Sequence, residues 1–392
     1  MANIPVSAPA PLLDLDRARV LMREHGLDAI VGHSLRNAFY LSGFVSFEQL
    51  IEPEAEVFAI VPARPDVPAH VTIPKSERLV LEDFPAWAPG RVFYGRYYVK
   101  GGPDMGESAP DPFMALAQAL ARCEVTAARV GFELELLPVR LYQRLADIFP
   151  RMAIVDASPL LRQLRSCKTS EEISRIRTAT RVTEAAIAEA FAQIRVGTTE
   201  KAIAAWIAEG ILHRGAEPLY VHLGTNGRGA LGTCYPTDRP VQKGDVIRAD
   251  ASAQYGLYYS DLGRCCVVGE PSAEQRGHYQ TMYDAVQAAI GAVRVGRTVA
   301  EVFAAAVAVP KAAGYDDFRR HHVGHGIGLQ PHEWPVLRPE GTERIAPGMV
   351  LAVEVPYYLY GIAGYAPEDN IVVHDREVEV LSHAPAQLPV VG

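Results

Sequence analysis

The sequence lacks the excess of positive charge that binding to nucleic acids or anionic membranes requires. Its 392 residues contain 38 Lys and Arg against 46 Asp and Glu, which gives a formal net charge of −8. We therefore expect neither nucleic acid nor membrane as a partner. No apolar run reaches the ~18 residues that span a bilayer. The opening MANIPVSAPAPLLDLD has neither the basic start nor the apolar stretch of a signal peptide.

Cysteine is also scarce. The five cysteines have no spacing typical of a metal site, and the neighbours Cys265 and Cys266 are expected on opposite faces of a strand. An odd number of cysteines without a secretion signal predicts reduced thiols and a cytoplasmic protein. The composition, 49% hydrophobic and 21% charged, is typical of a globular protein, and the length predicts two domains.

Two regions differ in their residue patterns. From about residue 14 to 160, the helical period of LDRARVLMREHG alternates with strand-like runs such as LDAIVGH and EVFAIVPA. This alternation predicts an α/β domain in residues 1–162. A capping box at Thr169–Glu172 then predicts a helix that extends to about Ile194, within a second domain formed by residues 163–392.

The second domain contains an internal repeat. The segment EAFAQIRVGTTEKAIAAWIAEGILHRGAE returns about a hundred residues later as AAIGAVRVGRTVAEVFAAAVAVPKAAGYD. In each copy we expect a helix to end at a glycine in the C′ position, Gly197 or Gly296. A threonine, Thr199 or Thr298, is expected to cap the next helix. Matching caps on two helix pairs favour a duplication over chance.

The first copy is followed by a predicted hairpin with two acidic residues. In DASAQYGLYYSD, strand-like residues flank a turn that we expect at Tyr255-Gly256, so that Asp250 faces Asp261. Like charges on facing strand positions are destabilising, although a solvated sheet face tolerates an isolated pair.

The second copy repeats this arrangement. In PGMVLAVEVPYYLYGIAGYAPEDNIVV, a three-residue loop centred on Gly361 would place Glu354 opposite Glu368. Between the hairpins, RRHHVGHGIGLQPHEWP sets His325 among glycines, which let the backbone approach a ligand closely. Burial of four carboxylates without counter-charge would cost many kcal/mol. Two divalent cations would turn their repulsion into coordination.

This set of donors is hard and rich in oxygen. Four carboxylates and one imidazole favour Mn²⁺, Co²⁺, Fe²⁺ or Zn²⁺ over Cu⁺. Two such cations about 3.5 to 4 Å apart lower the pKa of a shared water and present hydroxide to an electrophile. The sequence therefore predicts a hydrolase.

The chain resembles metallopeptidase family M24, which includes methionine aminopeptidase, aminopeptidase P, prolidase and creatinase. The text GLDAIVGHSLRNAFYLSGF is similar to the α/β N-terminal domain of the creatinase type. The sequence from about residue 165 is similar to the pita-bread catalytic domain, an α+β fold with an internal pseudo-two-fold duplication. The resemblance implies a homodimer and two divalent cations, of which we expect Mn²⁺ before Co²⁺, Zn²⁺ or Fe²⁺.

The resemblance also implies a role for each of five ligand positions, all of which are filled. Asp250 would chelate one metal ion. Asp261 and Glu368 would bridge both ions. His325 and Glu354 would hold the other ion.

Further side chains match positions that act on the substrate in this family. His332, in GLQPHEWP, would donate to the substrate carbonyl or its tetrahedral intermediate. Glu354 would also shuttle protons or serve as general base toward the bridging water. His321 matches another substrate-side histidine, although for His321 and His322 a surface or outer position is equally compatible. Arg264, in SDLGRC, is expected to be a structural ion-pair partner of the acidic site.

Two positions depart from the family peptidases. Thr233, in GTCYPTDRP, and Ala366, in GYAPEDN, replace a histidine and an arginine that contact the peptide or organise the site around it. Arg248 lies two positions before Asp250 and therefore on the same strand face. It either binds substrate with the guanidinium that is missing at Ala366 or forms a surface salt bridge.

Three functions remain open at this point. The breadth of the match favours a metallopeptidase that cleaves short Xaa-Pro peptides, as an aminopeptidase or a dipeptidase. Both departures favour hydrolysis of a small non-peptide amide, amidine or amine, as do Tyr357, Tyr358 and Tyr360 unless they only pack the sheet. Trp334, close after His332, is a pocket residue for either reaction. A non-catalytic binding module is disfavoured because such domains tend to lose ligands and this chain has lost none.

Overall fold

A computed structural model describes residues 10–52, 55–100 and 106–392. The predicted lack of a signal peptide concerns in part residues 1–9, which lie outside the described residues. The chain divides into two compact units, Met1–Arg165 and Ser166–Gly392. The domain boundary after residue 162 stays a prediction, and it falls inside a helix, Ser158–Ser166, that spans this division.

The first unit is built on one mixed sheet of six strands. The strands are β1 (Ala29–Gly32), β2 (Ala59–Pro62), β3 (His70–Pro74), β4 (Gly90–Tyr94), β5 (Arg129–Phe132) and β6 (Ala153–Asp156). The helices are α1 (Leu15–Glu24), α2 (Leu35–Ser42), α3 (Phe47–Ile51), α4 (Pro112–Arg122), α5 (Val139–Ile148) and α6 (Ser158–Ser166). Short 3₁₀ turns occupy Lys75–Glu77 and Leu79–Glu82. The strand order is β4-β3-β2-β1-β5-β6, and helices alternate with strands as predicted for an α/β unit.

Local signals in the sequence account for the helices of this unit. Asp111 caps α4, because its carboxylate accepts a hydrogen bond from the backbone N–H of Met114 at 2.8 Å. Pro112 follows as the first helical residue, where its missing N–H costs nothing. Leu116 of α4 and Ile60 of β2 belong to one buried apolar core, which holds helix and sheet together.

The second unit combines two pairs of helices with antiparallel strands, as predicted for an α+β domain. The helices are α7 (Ser170–Gln193), α8 (Glu200–His213), α9 (Ala273–Ala292) and α10 (Val299–Ala312), and a 3₁₀ turn occupies Arg228–Ala230. The first strands are β7 (Glu217–Thr225), β8 (Val246–Tyr255), β9 (Tyr258–Tyr259), β10 (Leu262–Val268), β11 (Gly324–Gly326) and β12 (Glu333–Val336). The remaining strands are β13 (Val350–Glu354), β14 (Tyr357–Leu359), β15 (Ala363–Tyr365), β16 (Glu368–Val373), β17 (Val378–Val380) and β18 (Val390–Val391).

These strands form three sheets. One sheet has the order β18-β10-β8-β7, with β9 paired to β8. A second has the order β12-β11-β13-β16-β17, and β14 pairs with β15 alone. Cys265 and Cys266 of β10 point into different apolar cores, which confirms that they lie on opposite faces. Among the described residues, no helix combines the length and apolarity needed to cross a bilayer.

The two helix pairs repeat the same local structure. The predicted capping box starts α7 at Thr169, and Thr199 and Thr298 cap α8 and α10. The backbone N–H of Gly197 donates to the carbonyl of Val241 at 2.9 Å. In the second copy, the N–H of Gly296 donates to Ile345 at 2.9 Å. These matching contacts support the internal duplication.

The end of α7 predicted at about Ile194 is confirmed, but the C′ position predicted for Gly197 and Gly296 is wrong. The helices end at Gln193 and Ala292, four residues before Gly197 and Gly296, so the glycines are not in the C′ position. The next residue in each copy, Ile194 or Val293, is extended and fully buried. The chain therefore leaves the helix to bury a β-branched side chain, and the glycine, with φ of 92° or 88°, forms the turn that follows.

Candidate metal centre

The first acidic hairpin has a different register from the predicted one. Its turn contains Gly256 and Leu257, whose φ angles of 55° and 68° are those of a two-residue type I′ turn. Asp250 of β8 therefore faces Gly263 of β10 rather than Asp261. The error is two residues, and an even shift leaves each side chain on its original face of the sheet. Both aspartates consequently still lie on one side of the hairpin.

The second acidic hairpin has the predicted register. Strands β14 and β15 enclose a three-residue loop centred on Gly361, whose φ is 76°. In the same hairpin, β13 pairs with β16 so that Glu354 lies directly opposite Glu368. The facing carboxylates predicted from the sequence are confirmed here.

The two hairpins and β11 bring four of the five predicted ligands together. Ligand atoms of Asp250, Asp261 and Glu368 lie within 4.8 Å of one another. A second set, within the same limit, joins Asp261 to His325 and His332. Asp261 therefore belongs to two adjacent groups of donors, an arrangement that suits two cations sharing one carboxylate.

Glu354, the fifth predicted ligand, borders these groups. One of its carboxylate oxygens lies 3.3 Å from Nδ1 of His322, and the other lies 4.0 Å from Nη2 of Arg320. Burial raises the pKa of Glu354 to about 7, with a further increase from the charge of Asp250 that Arg320 opposes. Because the charge of Asp250 acts on Glu354, the residues Asp250, Asp261, Glu354 and Glu368 form one acidic cluster.

The cluster holds far more negative charge than the surrounding protein offsets. Burial, followed by the charges of neighbouring carboxylates, raises the pKa values of Asp261 and Glu368 well above their ordinary values. Two cationic side chains face the cluster loosely, Arg248 at 3.7 Å from Asp250 and Arg320 at 4.0 Å from Glu354. Without further positive charge, burial and mutual repulsion favour the protonated form of these carboxyl groups. A hard cation that replaces those protons therefore fits the donors.

Two histidines complete the set at different depths. His325 is buried on β11, and burial lowers its pKa to about 3, so the ring is neutral and able to coordinate a cation. Its Nδ1 lies 3.1 Å from the carbonyl of Gly326, which leaves Nε2 facing Asp261 at 3.9 Å. The ring of His332 stacks on that of His325 at 3.7 Å, yet 64% of its side chain is exposed. His332 is thus accessible to a substrate.

Comparison with known proteins assigns the family. Residues 174–375 match the model of metallopeptidase family M24, and residues 15–167 match the creatinase/prolidase N-terminal domain. This chain belongs to metallopeptidase family M24. It is a metal-dependent hydrolase, as the sequence predicts, with an N-terminal domain of the creatinase type before the M24 catalytic domain.

Individual relatives of this M24 protein are peptidases. The Xaa-Pro dipeptidase of Pyrococcus furiosus is 31% identical over 231 residues, which cover 58% of this chain and 66% of the relative, just under two thirds of its length. The solved dipeptidase PepE from Mycobacterium ulcerans is 28% identical, with a TM-score of 0.78 over 96% of each chain. The X-Pro aminopeptidase from Thermotoga maritima is 24% identical, with a TM-score of 0.79 over 96% of this chain and 99% of that one. That last likeness shows the fold alone.

Two side chains outside the sequence predictions contact or face predicted ligands of this centre. The hydroxyl of Tyr220 donates to Oδ1 of Asp261 at 2.6 Å, which orients that carboxylate. His222 faces Asp250 across the β7–β8 ladder, and its ring stacks on Tyr220 at 4.6 Å. The alternation in YVHLG predicts that Tyr220 and His222 share a face, but their partners lie on other strands and only the fold reveals them.

Arg264 is a structural ion-pair partner, as predicted, but not of the ligand carboxylates. Its guanidinium donates to Glu184 at 2.8 Å and to Asp369 at 3.0 Å. It also donates to the backbone carbonyl of Glu368. Arg264 therefore fixes the strand that carries Glu368 and leaves the carboxylate free for a cation.

The adjacent histidines have different surroundings. His321, the predicted substrate-side residue, is exposed, and its described ring contact is with His322 at 4.3 Å. His322 instead faces Glu354 and is partly buried, which lowers its pKa to about 4. The substrate-side role of His321 stays a prediction, and it is His322 that the fold directs toward the carboxylate of Glu354.

Arg248 does not form a surface salt bridge, so that alternative is wrong. Its side chain is 0% exposed. Its terminal nitrogens donate to the hydroxyl of Tyr358 at 3.0 Å and to the carbonyls of Leu231 and Gly232 at 2.8 and 3.0 Å. Arg248 thus anchors the loop that precedes Cys234 and has few donors left for a substrate.

The other predicted substrate residues lie at varied depths. Thr233 is exposed on the loop that Arg248 anchors, and Ala366 is buried. Trp334 is half-buried, and its indole N–H donates to Glu343 at 3.2 Å. The indole N–H is therefore engaged, and only the ring face of Trp334 is available to a ligand.

Proposed function

We propose that this protein is a dinuclear metallopeptidase that hydrolyses the bond before proline in short Xaa-Pro peptides. The observation that carries this proposal is the sharing of Asp261 between two groups of ligand atoms, each within 4.8 Å. The relatives support the substrate class, since those at 31% and 28% identity are named Xaa-Pro dipeptidase and dipeptidase.

The proposed centre contains two divalent cations, with Mn²⁺ preferred over Co²⁺, Zn²⁺ or Fe²⁺. Asp250 would hold one cation, and His325 with Glu354 would hold the other. Asp261 and Glu368 would contact both, which agrees with their deep burial and strongly raised pKa values. When bound, such cations lower the pKa of a water between them and polarise the scissile carbonyl.

The side chains around this centre would handle the substrate and its protons. His332 is exposed beside Asp261, so its Nε2 is suited to donate to the carbonyl oxygen of the scissile bond. Glu354, which borders both groups of donors, would accept a proton from water and pass it to the proline nitrogen. His321 and Trp334 would lie on the substrate side of the centre. Thr233, on the loop that Arg248 anchors, would lie there as well.

A second function has specific support. Thr233 and Ala366 stand where family peptidases have a histidine and an arginine, and neither replacement side chain carries charge. A small non-peptide amide, amidine or amine would not need those contacts. The metal centre and the hydrolytic step would be the same.

One assay separates the two functions. The protein is loaded with Mn²⁺, Co²⁺ or Zn²⁺ and tested on an Xaa-Pro dipeptide, an Xaa-Pro-Xaa tripeptide, the matched Xaa-Ala dipeptide and small cyclic amides. We expect metal-dependent cleavage of the proline peptides over the alanine peptide. Hydrolysis of the cyclic amides alone would select the second function, and inactivity on the whole panel would contradict both.

We also propose a cytoplasmic homodimer. None of the five cysteines, all of which lie within the described residues, forms a disulfide, which agrees with a reducing compartment. The homodimer rests on the resemblance to family members with this N-terminal domain. Light scattering coupled to gel filtration should give twice the mass of the chain, and a monomer at micromolar concentration would contradict the proposal.

A further inference from the structure

Arg320 lies beside the candidate metal centre with a guanidinium that is only loosely engaged. Its side chain is only 10% exposed, and its buried Nε has no hydrogen-bond partner. Its nearest carboxylate oxygen, on Glu354, is 4.0 Å from Nη2, which is too long for a hydrogen bond. No hydrogen bond joins its guanidinium to another of the described residues. Its contacts are the long ion pair with Glu354 and the face of the Tyr358 ring, so its guanidinium keeps donors that a ligand group can accept.

Arg248 provides an internal comparison on the same aromatic ring. The guanidinium carbons of Arg248 and Arg320 lie 5.2 and 5.5 Å from the centre of the Tyr358 ring. The terminal nitrogens of Arg248 are occupied by that hydroxyl and by backbone carbonyls, and its side chain is fully buried. Both arginines have a buried Nε without a hydrogen-bond partner, so the difference lies in the terminal nitrogens, and those of Arg320 are the ones left for a substrate.

The charge of the centre indicates what Arg320 would bind. Two divalent cations would neutralise the four carboxylates, and the two arginines would then leave a surplus of positive charge. An anionic group on the substrate offsets that surplus. The planar fork of a guanidinium matches a carboxylate through two parallel hydrogen bonds.

We propose that Arg320 binds the free C-terminal carboxylate of the substrate, which makes dipeptides the preferred class. This inference rests on the proposed function. Arg320 lies 4.0 Å from the predicted ligand Glu354, so it reaches groups close to the scissile bond. One residue spans roughly 3.5 Å, so the carboxylate of a dipeptide lies one residue beyond the scissile nitrogen, whereas that of a tripeptide lies farther away. Family peptidases have an arginine at the position of Ala366. Arg320, in the segment before β11, would supply the positive charge that this position lacks here.

The experiment compares acid and amide forms of one substrate. Xaa-Pro and Xaa-Pro-amide are assayed with the metal-loaded wild type, Arg320→Met, Arg320→Lys and the control Arg319→Met, which removes the adjacent exposed arginine. Loss of a charge-assisted pair is expected to raise KM for the acid roughly 10- to 100-fold in Arg320→Met, with little change in kcat or in the amide reaction. Arg320→Lys should recover part of the loss because it keeps the charge without the fork.

A binding measurement provides a readout that does not depend on turnover. Calorimetry with N-acetylproline and N-acetylprolinamide, on wild type with and without Mn²⁺, should show preference for the acid, and Arg320→Met should abolish that preference. Equal hydrolysis of Xaa-Pro and its amide by wild type would overturn the inference while the proposed function stands. Equal losses on acid and amide in Arg320→Met, with weaker Mn²⁺ binding, would assign Arg320 to the positioning of Glu354 instead. Wild type that cleaves no Xaa-Pro peptide would remove the proposed function itself.

Discussion

The two acidic hairpins of the duplicated unit differ in register yet distribute their carboxylates alike. Glu354 and Glu368 face each other directly, whereas Asp250 and Asp261 do not. In each hairpin one carboxylate is deeply buried and the other is more accessible. The side chain of Asp261 is 3% exposed, compared with 21% for Asp250.

The accessible carboxylate of each hairpin forms a long ion pair with an arginine, whereas among the described residues no arginine forms an ion pair with the deep one. Asp250 lies 3.7 Å from Arg248, and Glu354 lies 4.0 Å from Arg320. Burial, followed by the charge of Asp250, raises the pKa of Asp261 well above its ordinary value. Burial, followed by the charges of Asp261 and Glu354, does the same for Glu368. The carboxylates of a hairpin therefore come together because they share a face of the sheet, even where they do not face each other in the ladder. The deep carboxylates, which lack an arginine partner, depend most on a bound cation to offset their charge.

The largest expected effect is a loss of stability when the contacts of Arg264 between the two hairpins are removed. Arg264 of β10 pairs with Asp369 and donates to the carbonyl of Glu368 on β16. Arg264→Met leaves the buried carboxylate of Asp369 without its cation and should lower the free energy of unfolding by about 3–5 kcal/mol. Urea denaturation measures this loss. The matched control Arg276→Met, which breaks an exposed pair with Glu270, should cost less than about 1 kcal/mol, and equal losses would contradict the account.

Removal of a deep carboxylate tests the asymmetry within each hairpin. Loss of a residue that only hydrogen-bonds to a metal ligand weakens metal binding by up to about 100-fold. Asp261→Asn and Glu368→Gln remove a predicted ligand itself, so each should weaken Mn²⁺ binding by more than about 100-fold. Calorimetric titration with Mn²⁺ measures both affinity and stoichiometry. Asp238→Asn removes an exposed carboxylate paired with Lys201 and should bind Mn²⁺ as wild type does. Normal affinity and stoichiometry in Asp261→Asn would refute the proposed sharing of this residue.

A smaller effect is expected from the group that orients the deep aspartate. Tyr220→Phe removes the hydroxyl that donates to Asp261 at 2.6 Å but keeps the ring that stacks on His222. The loss should weaken Mn²⁺ binding about 10- to 100-fold. Tyr235→Phe, at an exposed ring also beside His222, is the matched control. Unchanged Mn²⁺ affinity in Tyr220→Phe would mean that the hydrogen bond does not position the ligand.

The smallest expected effect is a pH dependence of the stabilisation that Mn²⁺ gives. Burial raises the pKa of Glu354 from its ordinary value of 4.5 to about 7, so the metal-free fold keeps this proton while the unfolded chain has lost it. The stability from that proton is present below pH 4.5 and is lost as pH rises through 7. A cation must displace the proton, so the gain in Tm on adding Mn²⁺ should grow as pH rises toward 7. The expected slope is up to about 1.4 kcal/mol per pH unit for each proton released.

Differential scanning calorimetry with and without Mn²⁺, from pH 5 to 8, follows this change. A gain in Tm that stays constant with pH, at saturating Mn²⁺, would show that no proton is displaced. A gain that falls as pH rises would contradict the sign of the argument.

The sequence predicts the parts of this centre that depend on local signals. A glycine flanked by strands marks the loop at Gly361 and leads to the correct pairing of Glu354 with Glu368. In the first hairpin the same reasoning errs, because Leu257 adopts a positive φ that a non-glycine side chain rarely takes. The pattern of alternation survives the error, since an even shift preserves the face.

The remaining features depend on contacts between distant segments. The hydroxyl of Tyr220 on Asp261 joins two strands, and the burial of Arg248 depends on the loop that contains Leu231. Neither contact has a signal in the local pattern. The choice between His321 and His322 likewise depends on how the chain enters β11, which spacing within the motif does not specify.

The most direct test of the proposed centre is anomalous diffraction from a Mn²⁺-loaded crystal of the full chain. The account predicts two Mn²⁺ peaks about 3.5 to 4 Å apart, with Asp261 and Glu368 touching both. A single peak, or two peaks that share no carboxylate, would contradict it.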